Sequence, residues 1–129
     1  MRTIALTILA LAFTGTAVAG PIVKTAYNAK LKQTILVDGR GHTLYMWTPD
    51  TGAQHWIPLY GSAATAKGGA KQSLIATVMR SDGKSQVMYH TWPLYTWAGG
   101  YGWHADTKPG AVFGQGYAGL GYVLTPAER

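Results

Sequence analysis

The side chains of this chain that could hold a metal or move a proton are four histidines, His42, His55, His90 and His104, and five acids. With Met46, Met79 and Met88 they are the ligand types that copper accepts. No His-x-His or His-x-x-x-His pair fixes a site, so copper at His90 and His104 is an alternative to a structural role for these residues. Cysteine is absent, which removes thiolate ligands, disulfides and a thiol nucleophile together. Asp50 and Asp106 are the pair a two-carboxylate hydrolase would use, but the chain has no Gly-x-Ser-x-Gly elbow and no motif that demands chemistry. The expectation is a protein without catalytic residues, with a hydrolase as the third reading.

The aromatic residues make the stronger functional case. Tyr45-Met46-Trp47-Thr48-Pro49-Asp50 returns about fifty residues later as Tyr95-Thr96-Trp97-Ala98-Gly99-Gly100. In an extended strand alternate side chains share a face, so each Tyr-x-Trp presents two rings on one side. Tyr45, Trp47, Tyr95 and Trp97 either form a platform for a sugar, peptide or aromatic ligand or fill the core of a domain that has no disulfide. Tyr101, Trp103, His104 and Asp106 lie in a glycine-flanked stretch with less core to enter, and complete the set of candidate ligand-binding residues.

The elements that must carry these residues are strands. Thr34-Ile35-Leu36-Val37, the turn Asp38-Gly39-Arg40-Gly41 and residues 43–47 predict a β-hairpin. Residues 76–80, the turn Ser81-Asp82-Gly83-Lys84 and residues 86–90 predict a second one, followed by Trp92-Pro93-Leu94-Tyr95-Thr96-Trp97. Each unit thus runs hairpin turn, strand, Tyr-x-Trp. Residues 22–27 and 122–124 are predicted as a first and a closing strand, and residues 61–71, rich in Gly, Ala, Ser and Lys, as a mobile connection. Asp50 is expected to cap the turn after Pro49, and Pro93, Pro109 and Gly110 to shape strand entry and turns. No stretch has a sustained helical period, so the expected class is mainly β, a small single domain of two related hairpin units, about 26–60 and 76–126, with little or no helix.

Residues 1–19 have the three parts of a secretory signal: Arg2, an apolar run over 4–13, and Ala17-Val18-Ala19 before Gly20. The apolar run is about half the length a membrane span needs. Cleavage near Ala19-Gly20 would leave residues 20–129 as a periplasmic or secreted domain without a lipid anchor or a transmembrane segment. The net charge of +6 favours an anionic cell-envelope component as partner, while export and the lack of a nucleic-acid motif argue against nucleic acid.

Three blocks together resemble the bacterial secreted-repeat proteins of unknown function, predicted lipoproteins with a Tyr-x-(Phe/Trp/Tyr)-x-x-Asp motif. They are residues 36–50 with Trp56-Ile57-Pro58-Leu59, residues 80–89 with residues 93–99, and Asp106-Thr107-Lys108-Pro109-Gly110 with Gly114-Gln115-Gly116 and Tyr122-Val123. The resemblance implies no activity. This chain departs from it in lacking the acylated cysteine and the cysteines before the Trp-x-Pro-Leu block, and in placing Gly100-Tyr101-Gly102-Trp103-His104-Ala105 ahead of Asp106. The expected function is an exported, non-catalytic binding or envelope-interaction module.

Overall fold

Among the described residues every element is either a strand or a single turn of 3-10 helix. The computed structural model describes residues 20–47, 55–100 and 102–127; the predicted leader 1–19, Asp50 and Tyr101 lie outside the described residues. In chain order the strands are β1 (Ile22–Asn28), β2 (Gln33–Asp38), β3 (Tyr45–Trp47), β4 (Trp56–Pro58), β5 (Thr65–Ala66), β6 (Ile75–Met79), β7 (Ser85–Tyr89), β8 (Trp92–Trp97) and β9 (Gly121–Val123). The 3-10 turns are Gln72–Leu74 and Tyr117–Gly119. One sheet runs β2-β1-β5 and the other β6-β7-β8-β3-β9, with β4 also paired to β8. The chain is thus a small, mainly β domain, as its alternation and turn residues require.

The two units interleave. β3 and β8, the Tyr-x-Trp strands, pair antiparallel with Tyr45 opposite Tyr95. β4, from the first half, pairs with β8, setting Trp56 opposite Trp97. β9, from the second half, pairs with β3, setting Gly121 opposite Trp47. The exchange extends beyond the strands: Leu36 N–H donates to the Leu124 carbonyl at 2.9 Å, and Val87 N–H donates to the Leu59 carbonyl at 2.9 Å. By these pairings β1-β2-β3-β4 corresponds to β6-β7-β8-β9.

This correspondence corrects the predicted alignment of the units. The Asp38 turn joins β2 to β3, whereas the Asp82 turn joins β6 to β7, so the two are not counterparts. What matches the Asp38 turn is the two-residue turn His90-Thr91, with φ of 47° and 78°. Histidine accepts a left-handed backbone more readily than most residues, but a β-branched residue there is a conformational outlier and no glycine marks the turn, which is why the sequence did not reveal it. Within the turns, Asp38 Oδ1 accepts the N–H groups of Arg40 and His42 at 2.9 and 3.0 Å, and Asp82 Oδ1 accepts that of Lys84 at 2.9 Å. Gly83 takes a positive φ as expected, but in the first turn that role falls to Gly41 and not to Gly39.

Residues 61–71 are tied down more firmly than a mobile connection would be. β5 lies parallel to β1, and Gln72 clamps the segment by accepting from Ala66 N–H and donating to the Ala64 carbonyl. Small residues allow this close approach: Gly69 N–H reaches Thr25 Oγ1 at 3.0 Å.

The core has an aromatic half and an aliphatic half. Tyr45, Trp47, Trp56, Tyr95 and Trp97 are buried with Ile35, Val37, Val112 and Val123, while Val23, Leu36, Leu44, Val87, Leu94 and Leu124 pack around Tyr89. Trp47 and Trp56 stack at 5.0 Å, and Trp56 tilts onto Trp97 at 4.6 Å. The space for this indole comes from Gly121, where an added Cβ would stand 2.7 Å from Trp56 Cη2. Gly121 has no positive φ, so the demand there is purely steric. Gly121→Ala is therefore expected to lower stability by about 1–3 kcal/mol through overpacking, read as a fall in the midpoint of chemical denaturation.

Candidate functional site

The Tyr-x-Trp residues Tyr45, Trp47, Tyr95 and Trp97 make no open platform. Their rings are buried, because they pack together with Ile35, Val37, Trp56 and Val112 in one cluster. Asp106 is buried as well. Tyr45 Oη donates to Asp106 Oδ2 at 2.6 Å, Asp106 Oδ1 accepts Phe113 N–H at 2.8 Å, and Tyr45 Oη accepts Gly114 N–H at 3.2 Å. These bonds fasten the glycine-rich stretch of the second unit to the central strand of the first, so Asp106 shapes a loop and is not itself presented to solvent.

Burial drives the electrostatics of this pair. Desolvation pushes the Tyr45 phenol far above its ordinary range, and the bond to Asp106 and that residue's charge add to the effect. Desolvation also raises the Asp106 carboxyl above its usual value, against the lowering effects of the Tyr45 and Phe113 hydrogen bonds and of nearby His42.

What the fastened loop presents is Trp103, His104 and Phe113. Trp103 is 42% exposed and Phe113 is 43% exposed. Trp103 is held edge-on by the half-buried Tyr117 at 5.0 Å and by the buried Trp97 at 6.1 Å, and these rings set its position. Trp97 Nε1 donates to the His104 carbonyl at 2.7 Å, which fixes the backbone beside it. His104 packs on Phe113 at 5.4 Å, and Lys30 Nζ lies 5.9 Å from the Phe113 centroid. Together with Leu31, Val112 and Gln115 these side chains line an open groove of about 430 Å³.

Both units contribute to the groove. Lys30 and Leu31 come from the β1–β2 turn, closed by Asn28 Oδ1 accepting Leu31 N–H at 2.9 Å. Asn28 Nδ2 donates in turn to the Gly110 carbonyl at 3.1 Å, which joins the turn to the loop as one wall. Of the residues singled out from sequence, Trp103 and His104 are brought together here. Pro109 and Gly110, with a φ of 89°, form the turn behind them, and Pro93 stands opposite Met88 at the start of β8.

Sequence reasoning missed Lys30, Phe113 and Tyr117. Tyr117 touches Trp47, Trp56, Trp97, Trp103 and His55, yet it lies in a glycine-rich run whose lack of period hides its burial. His90 sits apart from His104, in the β7–β8 turn, with its N–H donated to the Leu74 carbonyl. Among the described residues no three His, Asp or Glu side chains gather as a metal would need.

Residues 76–121 match the sequence model of a family described as a secreted repeat of unknown function. The match runs from the second residue of β6 to the first residue of β9, takes in all of β7 and β8, and agrees with the resemblance carried by the motifs. No curated protein and no solved structure matches the chain.

Two outcomes are expected from the buried pair. Tyr45→Phe removes a donor to a buried carboxylate and should cost about 1–3 kcal/mol in denaturant titrations. A carboxyl whose folded value is raised gives stability that is complete below its unfolded value and is lost as pH rises through the folded one. The Asp106 contribution to the thermal midpoint should therefore decline as pH rises from about 4. Asp106→Asn, which cannot ionise, should flatten that decline.

Proposed function

We infer that the protein is an exported, non-catalytic binding module of the cell envelope, and that the groove between Trp103 and Phe113 is where it holds its ligand. The observation that carries this reading is the pair of half-exposed rings, Trp103 fixed by its packing on Trp97 and Tyr117, beside the ammonium of Lys30. Flat rings held in place bind amphipathic faces with little ordering cost, and a neighbouring cation selects a ligand that carries an acid. An anionic saccharide segment has both properties: C–H faces that lie on an aromatic ring, and a carboxylate or phosphate for the lysine.

Export rests on the leader at residues 1–19, with cleavage near Ala19-Gly20, and on the family's description as secreted. The chain has no cysteine for a lipid anchor, and among the described residues no helix is long and apolar enough to cross a membrane. A positive net charge suits a surface of anionic polymers. Asp106, the carboxylate that a hydrolase would need, is committed to Tyr45 and Phe113.

Calorimetric titration of the purified protein with soluble peptidoglycan fragments and uronic-acid oligosaccharides tests the reading. Saturable binding that weakens with salt is expected, reduced roughly tenfold or more by Trp103→Ala and by Phe113→Ala in protein that remains folded, as for loss of an aromatic anchor. Lys30→Ala should remove the preference for acidic over neutral oligosaccharides. A protein that bound neither these ligands nor isolated envelope at moderate salt would overturn it.

A further inference from the structure

The correspondence between the units exposes a difference between two matching sheet edges. In the first unit β1 is covered on its outer side: Thr65 N–H donates to the Pro21 carbonyl and Lys67 N–H to the Val23 carbonyl, both at 2.9 Å. Its counterpart β6 pairs with β7 alone and ends the larger sheet. His90 N–H donates to the Leu74 carbonyl and Arg80 N–H to the Lys84 carbonyl at the two ends of the β6–β7 ladder. That phasing directs the even-numbered residues of β6 toward β7 and leaves Ile75, Thr77 and Met79 with their backbone groups facing outward. Ile75 N–H is taken by the Gln72 carbonyl, whereas the backbone groups of Thr77 and Met79 have no partner among the described residues.

Nothing in the strand guards this edge. Ile75-Ala76-Thr77-Val78-Met79 contains no charge and no proline, and Met79 is 66% exposed. Exposed edges of soluble proteins are ordinarily blunted by lysine, proline or a bulge, and one without them is a template for another strand.

We propose that β6 is a homodimer interface, at which two copies of this chain pair their β6 strands antiparallel about a two-fold axis at Thr77. The sequence of the strand is self-complementary in that arrangement. Thr77 meets its own copy, Ala76 meets Val78, and Ile75 meets Met79, giving a hydroxyl pair at the centre and apolar pairs on either side. Thr77 exchanges both backbone hydrogen bonds with the second Thr77. Each Met79 N–H donates to the Ile75 carbonyl of the other copy, the one acceptor there whose own N–H is already used. The two large sheets become continuous, and the interface is isologous, so it closes at two copies. The net charge of +6 opposes close approach, and salt therefore favours the dimer.

Sedimentation velocity of the purified protein, from about 10 μM to about 1 mM and at low and moderate salt, tests this. A dimer that grows with protein and with salt concentration is expected. Thr77→Pro should leave only monomer with an unchanged thermal midpoint, because proline is tolerated where the strand N–H points away from its ladder. Met79→Lys should weaken association roughly tenfold or more. Should Thr77→Pro lower the midpoint, Met79→Lys and amide exchange of the wild type decide: protection at Thr77 that increases with protein concentration supports the interface. A wild-type protein that stays monomeric throughout, or a dimer that persists in folded Thr77→Pro or in Met79→Lys, overturns it. These readouts use no saccharide and stand or fall independently of the groove.

Discussion

The constraint on which this molecule depends is the reciprocal cover of its two Tyr-x-Trp strands. A three-residue strand such as β3, with rings on one face and Leu44 and Met46 on the other, cannot be stable alone. Its neighbours are β8 and β9, both from the other unit, and β8 in turn takes β4 from the first. Neither unit contains the strand that completes its own sheet. The aromatic core therefore belongs to the pair, and a disulfide-free chain gathers the rings of both units into one shared cluster.

The Tyr45–Asp106 bond is a polar version of the same exchange. It spans sixty-one positions in sequence and fixes a loop with little regular secondary structure of its own. With Phe113 N–H on the carboxylate and Gly114 N–H on the phenol, a buried charge is fully engaged and the backbone around it has one path to follow. Trp103 and Phe113 stand half in solvent because their neighbours are held this way, and the groove inherits its shape from a bond buried beneath it.

Much of the fold was legible because its devices are local. The Asp82-Gly83 turn, the β-branched runs of β2 and β6 and the doubled Tyr-x-Trp all act within a few residues, and each became the expected kind of element. What stayed hidden was pairing between distant segments. Nothing in Gly121 shows that it faces Trp56, and nothing in Tyr117 shows that it touches five other rings. The His90-Thr91 turn escaped for another reason: its left-handed backbone is imposed by the strands on either side and not by the residues themselves. For the site, Trp103 and His104 were visible as aromatics and histidine among glycines, whereas Lys30 enters only because Asn28 joins its turn to Gly110.

The pairing of β3 with β9 also governs the order in which this chain can close. Residues 45–47 must wait for residues 121–123 before their strand has both neighbours, so the first unit stays open until the second can fold against it. The closing step joins segments more than seventy residues apart. Long loop closures make that step slow, and during it the rings that become the core are in contact with water and with whatever else is nearby.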